Sequence, residues 1–302
     1  PIKIDFLTKS YVAQIGETKY ETLAAAVEAA TAGQTINLRK DAEGSGVVIN
    51  KNVTIDFGGF TYTFTSPAVG STGTQTQGFQ ILKGNTVTLK NGTLNVAETA
   101  GEDFAMLIQN YADLTITDMT LDGDHLDRNN YSYVLSVNCS NVVIDGSTSI
   151  LANEVVGENH FAFDSYDYSS QGYALPTVTV NTTGEIKGIV EVSAKLNLNA
   201  VGTNNISRVD ITGEGQLYND IAVSGSVERT FANDENDNAE DDWYTIAVPF
   251  AEGHTTSALQ TTSNYALYRY NESNIGAEWE TVKENEINFI CLVLGRGFIF
   301  VN

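Results

Sequence analysis

Basic residues are scarce in this chain of 302 residues. Sixteen lysines and arginines stand against 38 aspartates and glutamates, a formal net charge of −22. A surface of that sign repels phosphate backbones and anionic headgroups, which argues against nucleic acid and acidic lipid as partners. Solubility alone accounts for the charge without a cationic ligand. Cysteine is scarcer still. Cys139 and Cys291 fall in different predicted domains, so no bridge is expected, and no zinc-site spacing exists. Cys139, within Ser136-Val-Asn-Cys-Ser, reads as a small buried strand residue. No apolar run reaches transmembrane length, and no signal peptide opens the chain. The opening Pro1-Ile-Lys-Ile-Asp fits the trimmed form of an exported protein.

What the chain has instead is a loosely repeated phrase: a turn residue, a short alternating apolar strand, then Gly, Asn or Asp, then a second short strand. It occurs at Asn52-Val-Thr-Ile-Asp-Phe-Gly-Gly, Asn85-Thr-Val-Thr-Leu-Lys-Asn-Gly, Asp113-Leu-Thr-Ile-Thr-Asp and Asn141-Val-Val-Ile-Asp-Gly, with shorter copies at Thr177-Val-Thr-Val-Asn and Arg208-Val-Asp-Ile-Thr-Gly. The markers Val53, Val87, Leu114, Val142, Val178 and Val209 recur at a spacing of about 30 residues, within the range of stacked repeat units. Period-two alternation rich in Val, Ile and Thr excludes helical repeats. Units this short cannot bury their own apolar face, so they must stack, and parallel stacking gives one continuous core. The expected fold is all-β, a right-handed parallel β-helix over residues 35–232. Ile55, Leu89, Ile116, Ile144, Val180 and Ile211 should form one inward column. The widest intervals, from Val53 to Val87 and from Val142 to Val178, hold the long loops, Ser66 to Gln77 and Gly157 to Tyr173.

Residues 1–34 read as a cap. Tyr11 to Tyr20 form a predicted hairpin turning at Gly16-Glu17-Thr18. Thr22 is placed to N-cap a short helix whose Leu23, Ala26, Val27 and Ala30 share a face, with Gly33 to end it. A stacked fold exposes a core cross-section at its first unit, and an amphipathic helix covers it. The run from Val12 to Ala30, followed by Ala32-Gly-Gln-Thr-Ile-Asn-Leu-Arg-Lys-Asp, resembles the N-terminal cap of pectin-lyase-like β-helix proteins on bacterial surfaces, and the resemblance spans residues 11–232. It implies the fold and export to the cell surface. That superfamily includes lyases, hydrolases, adhesins and stalks, so it does not choose an activity.

Residues 233–242 read Asn-Asp-Glu-Asn-Asp-Asn-Ala-Glu-Asp-Asp, an acidic linker with six acidic residues and no basic one. Asp234, Asn236 and Asn238 have the spacing of calcium-loop ligands, but Ala239 and Thr245 stand where the sharp-turn Gly and the bidentate Glu belong. Calcium is the one cofactor the sequence suggests. Residues 243–302 change character: Trp243-Tyr-Thr-Ile-Ala-Val-Pro-Phe, Tyr265-Ala-Leu-Tyr-Arg-Tyr-Asn, Glu278-Trp-Glu-Thr-Val and Gly295-Arg-Gly-Phe-Ile-Phe-Val-Asn predict antiparallel strands. They resemble the opening of a β-sandwich module that follows β-helices in surface proteins of Bacteroidetes. About 60 residues is short for a whole sandwich, and the natural protein is expected to continue beyond Asn302.

Two clusters carry candidate chemistry. Asp122, Asp124, His125, Asp127 and Arg128 crowd the turn after Leu121. Such carboxylates could hold calcium in a polysaccharide lyase or flank a scissile bond in a glycosidase. Neighbouring units offer only Lys90, Asn91 and Asp145 as partners, and the paired-Asp, Gly-His-Gly and Arg-x-Lys pattern of pectin hydrolases is missing. A solvated loop is the better reading, so no catalytic residue is assigned. Asp56, Asp118 and Asp145 read as turn residues bonding backbone amides. The second cluster is aromatic, His160 to Tyr173, with Tyr131 and Tyr133 one unit earlier. Phe161 and Phe163, at period two, are expected in the core. Tyr166, Tyr168 and Tyr173 are expected as exposed platforms for a sugar ring, with Asp164 and Asp167 accepting from its hydroxyls. The sequence thus favours a non-catalytic surface protein whose partner is a glycan or another surface protein, with a plain structural stalk as the third reading.

Overall fold

Strands form where β-branched and apolar residues alternate with polar ones, and break at Gly, Asn and Asp. In the computed structural model this pattern yields an all-β chain. The structure describes residues 10–127, 131–153 and 159–227, and six short strands beyond residue 242. Two compact units are present, Pro1–Arg229 and Thr230–Asn302.

The first unit is one 21-stranded sheet whose strands are mostly parallel. Its strands fall into three ladders. Ladder A runs through Gln34–Leu38, Val53–Asp56, the first half of Thr86–Val96, the first half of Asp113–Asp122, Asn141–Gly146, Thr177–Thr182, Lys195–Ala200 and Gln216–Asn219. Ladder B runs through Ala42–Gly44, Thr61–Phe64, the second halves of Thr86–Val96 and Asp113–Asp122, Ser149–Leu151 and the first halves of Glu185–Val192 and Thr203–Ile211. Ladder C runs through Val47–Ile49, Gln77–Ile81, Met106–Asn110, Ser132–Val137, His160–Ser165, the second halves of Glu185–Val192 and Thr203–Ile211, and Gly225–Val227.

Ladder A carries an inward column, Ile36, Ile55, Leu89, Ile116, Ile144, Val180 and Leu198, in register and fully buried. Each such side chain contributes about 1.5–3 kcal/mol by leaving water. Ile211 does not belong to it. It pairs with Val192 in ladder C, and Leu198 takes the place after Val180. The copy at Arg208 has the right phrase on the wrong ladder, because Lys195–Ala200 supplies the next ladder A strand soon after Thr177–Thr182. Along ladder A, Gln34, Val53, Val87, Leu114, Val142, Val178, Leu196 and Leu217 stand in register. The sequence distance between them is uneven: shortest from Gln34 to Val53, from Val178 to Leu196 and from Leu196 to Leu217, longest from Val53 to Val87 and from Val142 to Val178. Among the early strands the core turns aromatic: Phe64 meets Tyr62 at 5.2 Å, Phe79 at 5.0 Å and Phe104 at 6.0 Å between ring centroids. Gly78 makes room for this, since a Cβ there would lie 2.6 Å from the Phe64 ring.

At the N-terminus, Ala13–Ile15 and Thr18–Tyr20 form an antiparallel hairpin that joins Gln34–Leu38. Helix Leu23–Ala29 follows, with the Thr22 hydroxyl accepting from the Ala25 amide and Leu23, Ala26 and Val27 buried. The helix is capped at Ala30, ahead of Gly33, whose amide donates to the Asn52 carbonyl instead. In the second unit, Trp243–Ala247, Gly297–Val301, Ala266–Tyr270 and Trp279–Thr281 pair antiparallel in that order, and His254–Thr255 pairs with Cys291–Leu292. Among the described residues, no helix is long and apolar enough to cross a membrane.

Candidate functional site

The turn after ladder B's Asp113–Asp122 strand uses its acids locally. Asp122 accepts from the Asp124 amide at 3.0 Å, and Asp124 stands 3.8 Å from His125 Nδ1. The Asp127 amide donates to the Phe104 carbonyl, and Gly123 packs on Val134 and Leu126. Arg128 lies outside the described residues. No group of three or more His, Cys, Asp or Glu among the described residues could hold a metal ion. Lys90, the suggested cationic partner, instead pairs with Asp56 at 3.1 Å, and Asn91 donates to the same carboxylate. Asp56, Asp118 and Asp145 each accept a backbone amide, from Gly58, Ser147 and Gly146. Asp234, Asn236 and Asn238 lie outside the described residues. Cys139 is buried with a free thiol just past Ser132–Val137.

Ladder C gathers the aromatics. Tyr166, Tyr168 and Tyr173 lie on the loop after His160–Ser165, and the latter two meet Tyr111, from the turn after Met106–Asn110. Tyr168 stacks on Tyr173 at 5.5 Å and 10°, Tyr111 lies 4.9 Å from Tyr173, and Tyr166 lies 5.9 Å from Tyr168. Lys83 Nζ sits 5.0 Å over the Tyr173 ring. Tyr166 is exposed, and Tyr168 and Tyr173 are half-buried. Asp167 accepts from the Ser169 amide, and the Ser169 bonds hold its carboxyl below the usual aspartate range. A second aromatic group lies toward the start of the same strands, where Phe161 stacks on Tyr133 at 4.6 Å and on the exposed Tyr131 at 6.1 Å.

Two expectations are corrected here. Asp164 is only 3% exposed, so it cannot meet a sugar hydroxyl at the surface. Phe163 joins the core cluster, whereas Phe161 is buried outside it, against the tyrosines. One local irregularity explains the place of Phe161, whereas Asp164 keeps the outward side and is covered there. Ladder C puts two consecutive residues into the core at Leu107-Ile108, Val134-Leu135 and Ala162-Phe163. That doubling reverses the alternation, and Tyr133 and Ser136, like Phe161 and Asp164, end up on the outer side.

The outer side of ladder C carries a polar row that the sequence did not announce. Gln80, Gln109 and Ser136 are in register on successive strands, then Asp164, Glu191 and Asp210. The Gln80 amide donates to Gln109 at 3.0 Å. Ser136 Oγ donates to Asp164 Oδ2 at 3.1 Å, and the Val137 amide donates to Asp164 Oδ1. Tyr133 donates its hydroxyl to Glu191 at 3.3 Å, and Arg208 Nε holds Asp210 at 2.8 Å. Burial pushes the Asp164 carboxyl up to about 8, with the Glu191 charge adding to the rise and the bonds from Val137 and Ser136 opposing it. Burial also raises Glu191; the Tyr133 bond opposes that and the Asp210 charge adds to it. Tyr111 is pushed up to about 12 by burial, then by Tyr168, Tyr173 and Asp164. Tyr111, Glu191 and Asp210 were missed because each comes from a different strand or turn, and only the register unites them. The doubled apolar pairs were readable, since Leu107, Val134 and Ala162 recur at nearly equal spacing along the chain.

Compared with known proteins, the chain matches no family model, no curated protein and no solved structure.

Proposed function

We propose that the first unit is a right-handed parallel β-helix of the pectin-lyase-like kind, exported to a cell surface, and that it binds glycans without acting on them. Support for the β-helix comes from three parallel ladders visited in the same order by successive repeats, and parallel crossovers are right-handed by strong preference. The antiparallel second unit is read as the start of a β-sandwich. The observation that carries the binding role is the cluster of Tyr111, Tyr166, Tyr168 and Tyr173 at one edge of ladder C. Tyrosine rings offer a flat apolar face to a pyranose and a hydroxyl to its rim. Asp167, beside them and ionised, is the acceptor for sugar hydroxyls, in place of Asp164. The polysaccharide lyase or glycosidase reading through Asp122, Asp124, Asp127 and Arg128 is weaker, because Asp122 is used in its own turn and Lys90 is held by Asp56.

A glycan array probed with the full chain and with a Tyr166→Ala/Tyr168→Ala variant tests this. The variant is expected to lose binding at an unchanged melting temperature. Equal binding by both proteins, or release of unsaturated uronates or reducing sugars by the native chain, would overturn it.

A further inference from the structure

Ladder C carries aromatic rings at both ends of the same strands. At the start, the Tyr131 and Tyr133 rings lie within 12° of the Phe161 plane, and none of the three joins the core cluster. Tyr131 is 60% exposed. Tyr133 stands in register with Phe161 yet sends its hydroxyl past it to Glu191, which pairs with Asp164 further along. Its ring therefore leans down the strands, toward the end that bears Tyr111, Tyr168 and Tyr173.

The register sets the distance between the two ends. Tyr133 and Val137 are four residues apart on Ser132–Val137, and Val137 pairs with Asn110, next to Tyr111. At about 3.3 Å per residue the gap is roughly 13 Å, too wide for one sugar ring and matched to a short run of linked rings. Two platforms held on one set of strands gain from a ligand that touches both, because the second contact is then intramolecular. The ground between them is polar and acidic. Ser136 and Asp164 are buried and bonded to each other, half-buried Glu191 stands midway, and Asp167 lies at the loop end. The nearby cations are engaged, Lys83 over the Tyr173 ring and Arg208 with Asp210. A chain with an anionic group on every sugar would set like charges against Glu191 and Asp167.

We propose that the two aromatic groups form one binding track, which takes a neutral, extended chain of pyranoses laid along the strands. One sugar packs at Tyr131 and Tyr133, another on the tyrosine loop, and Glu191 accepts from hydroxyls between them. The track rests on the glycan-binding reading above and names its ligand class, an uncharged linear polysaccharide in preference to a uronate-bearing or sulfated one.

Isothermal titration of the full chain with cello-, manno- and xylo-oligosaccharides, from disaccharide to hexasaccharide, tests this. In at least one series the hexasaccharide should bind about tenfold or more tighter than the disaccharide. Tyr131→Ala should weaken the hexasaccharide about tenfold and leave the disaccharide unchanged. Oligogalacturonate of the same length should bind about tenfold more weakly than the neutral chain at low salt, and Glu191→Gln should narrow that gap. Equal affinity for short and long chains, a hexasaccharide affinity untouched by Tyr131→Ala, or oligogalacturonate bound as tightly as the neutral chain would overturn the track and leave the binding role standing. No binding of any of these chains would overturn both. Should Tyr131→Ala fail to fold by far-ultraviolet circular dichroism, the length series on the native chain decides the matter.

Discussion

Ladder A buries one face and wets the other, whereas ladder C, at its centre, buries both. On ladder A the outward positions Thr54, Thr88, Thr115 and Thr179 are half-buried, and their hydroxyls can turn to water. Its ion pair, Lys90 with Asp56, sits at the surface, where such pairs contribute little. On ladder C, Gln80, Ser136 and Asp164 are buried on the outer side and bond along the row. A buried polar group without a partner costs about 1–3 kcal/mol, so covering the outer face forces its polar side chains into a connected row. That row is where a carboxyl with an altered proton affinity arises. Regular pairing alone builds a scaffold; covering its second face gives it chemistry.

The sharpest way to break this contrast is at the core. Leu89→Ala, in the middle of the ladder A column, should cost about 3 kcal/mol, read from urea unfolding. A loss under about 1 kcal/mol would mean the column is not the main support. Next comes Gly188, at φ +118° and with Ala152 Cβ 2.5 Å from where its own Cβ would stand. Gly188→Ala should cost about 2 kcal/mol, and a neutral result would show that this bend of Glu185–Val192 relaxes freely. Ser136→Ala removes the hydroxyl bonded to Asp164 and should cost about 1 kcal/mol. Its counterpart on ladder A, Thr115→Ala, should change stability by under about 0.5 kcal/mol. If the two outer-face changes cost the same in parallel melts, the distinction between a wet and a covered face falls.

The same contrast decides what could be read from the residues. Ladder A is legible from Val53 to Val180 because one face in water imposes strict alternation. Lys195-Leu-Asn-Leu-Asn-Ala escaped notice since it lacks the β-branched residues of the other copies, and its loss sent Ile211 to the wrong column. The capping helix was legible from Thr22 and from the spacing of Leu23, Ala26 and Val27. Ladder C misleads because its doubled core residues reverse parity halfway along each strand. Read with plain alternation, Phe161 faces in, which fails, and Asp164 faces out, which holds, but the covering of that outer face leaves it buried and not exposed. The tyrosine cluster was half legible: Tyr166, Tyr168 and Tyr173 are neighbours in sequence, while Tyr111 reaches them only through parallel register.

The uneven steps along ladder A have a practical side. Where successive strands follow closely, as from Gln34 to Val53 or from Val178 through Leu196 to Leu217, most residues between them lie in strands joined by turns of two to four residues, and a deletion within a strand there shifts a pairing register. Where the steps are long, from Val53 to Val87 and from Val142 to Val178, the surplus sits in excursions, and lengthening an excursion costs only about 0.6 kcal/mol per doubling. Foreign peptides can thus be grafted between Ser66 and Gln77, ahead of a ladder C strand, or in place of the tyrosine loop that follows one, on a scaffold that keeps its end strands untouched.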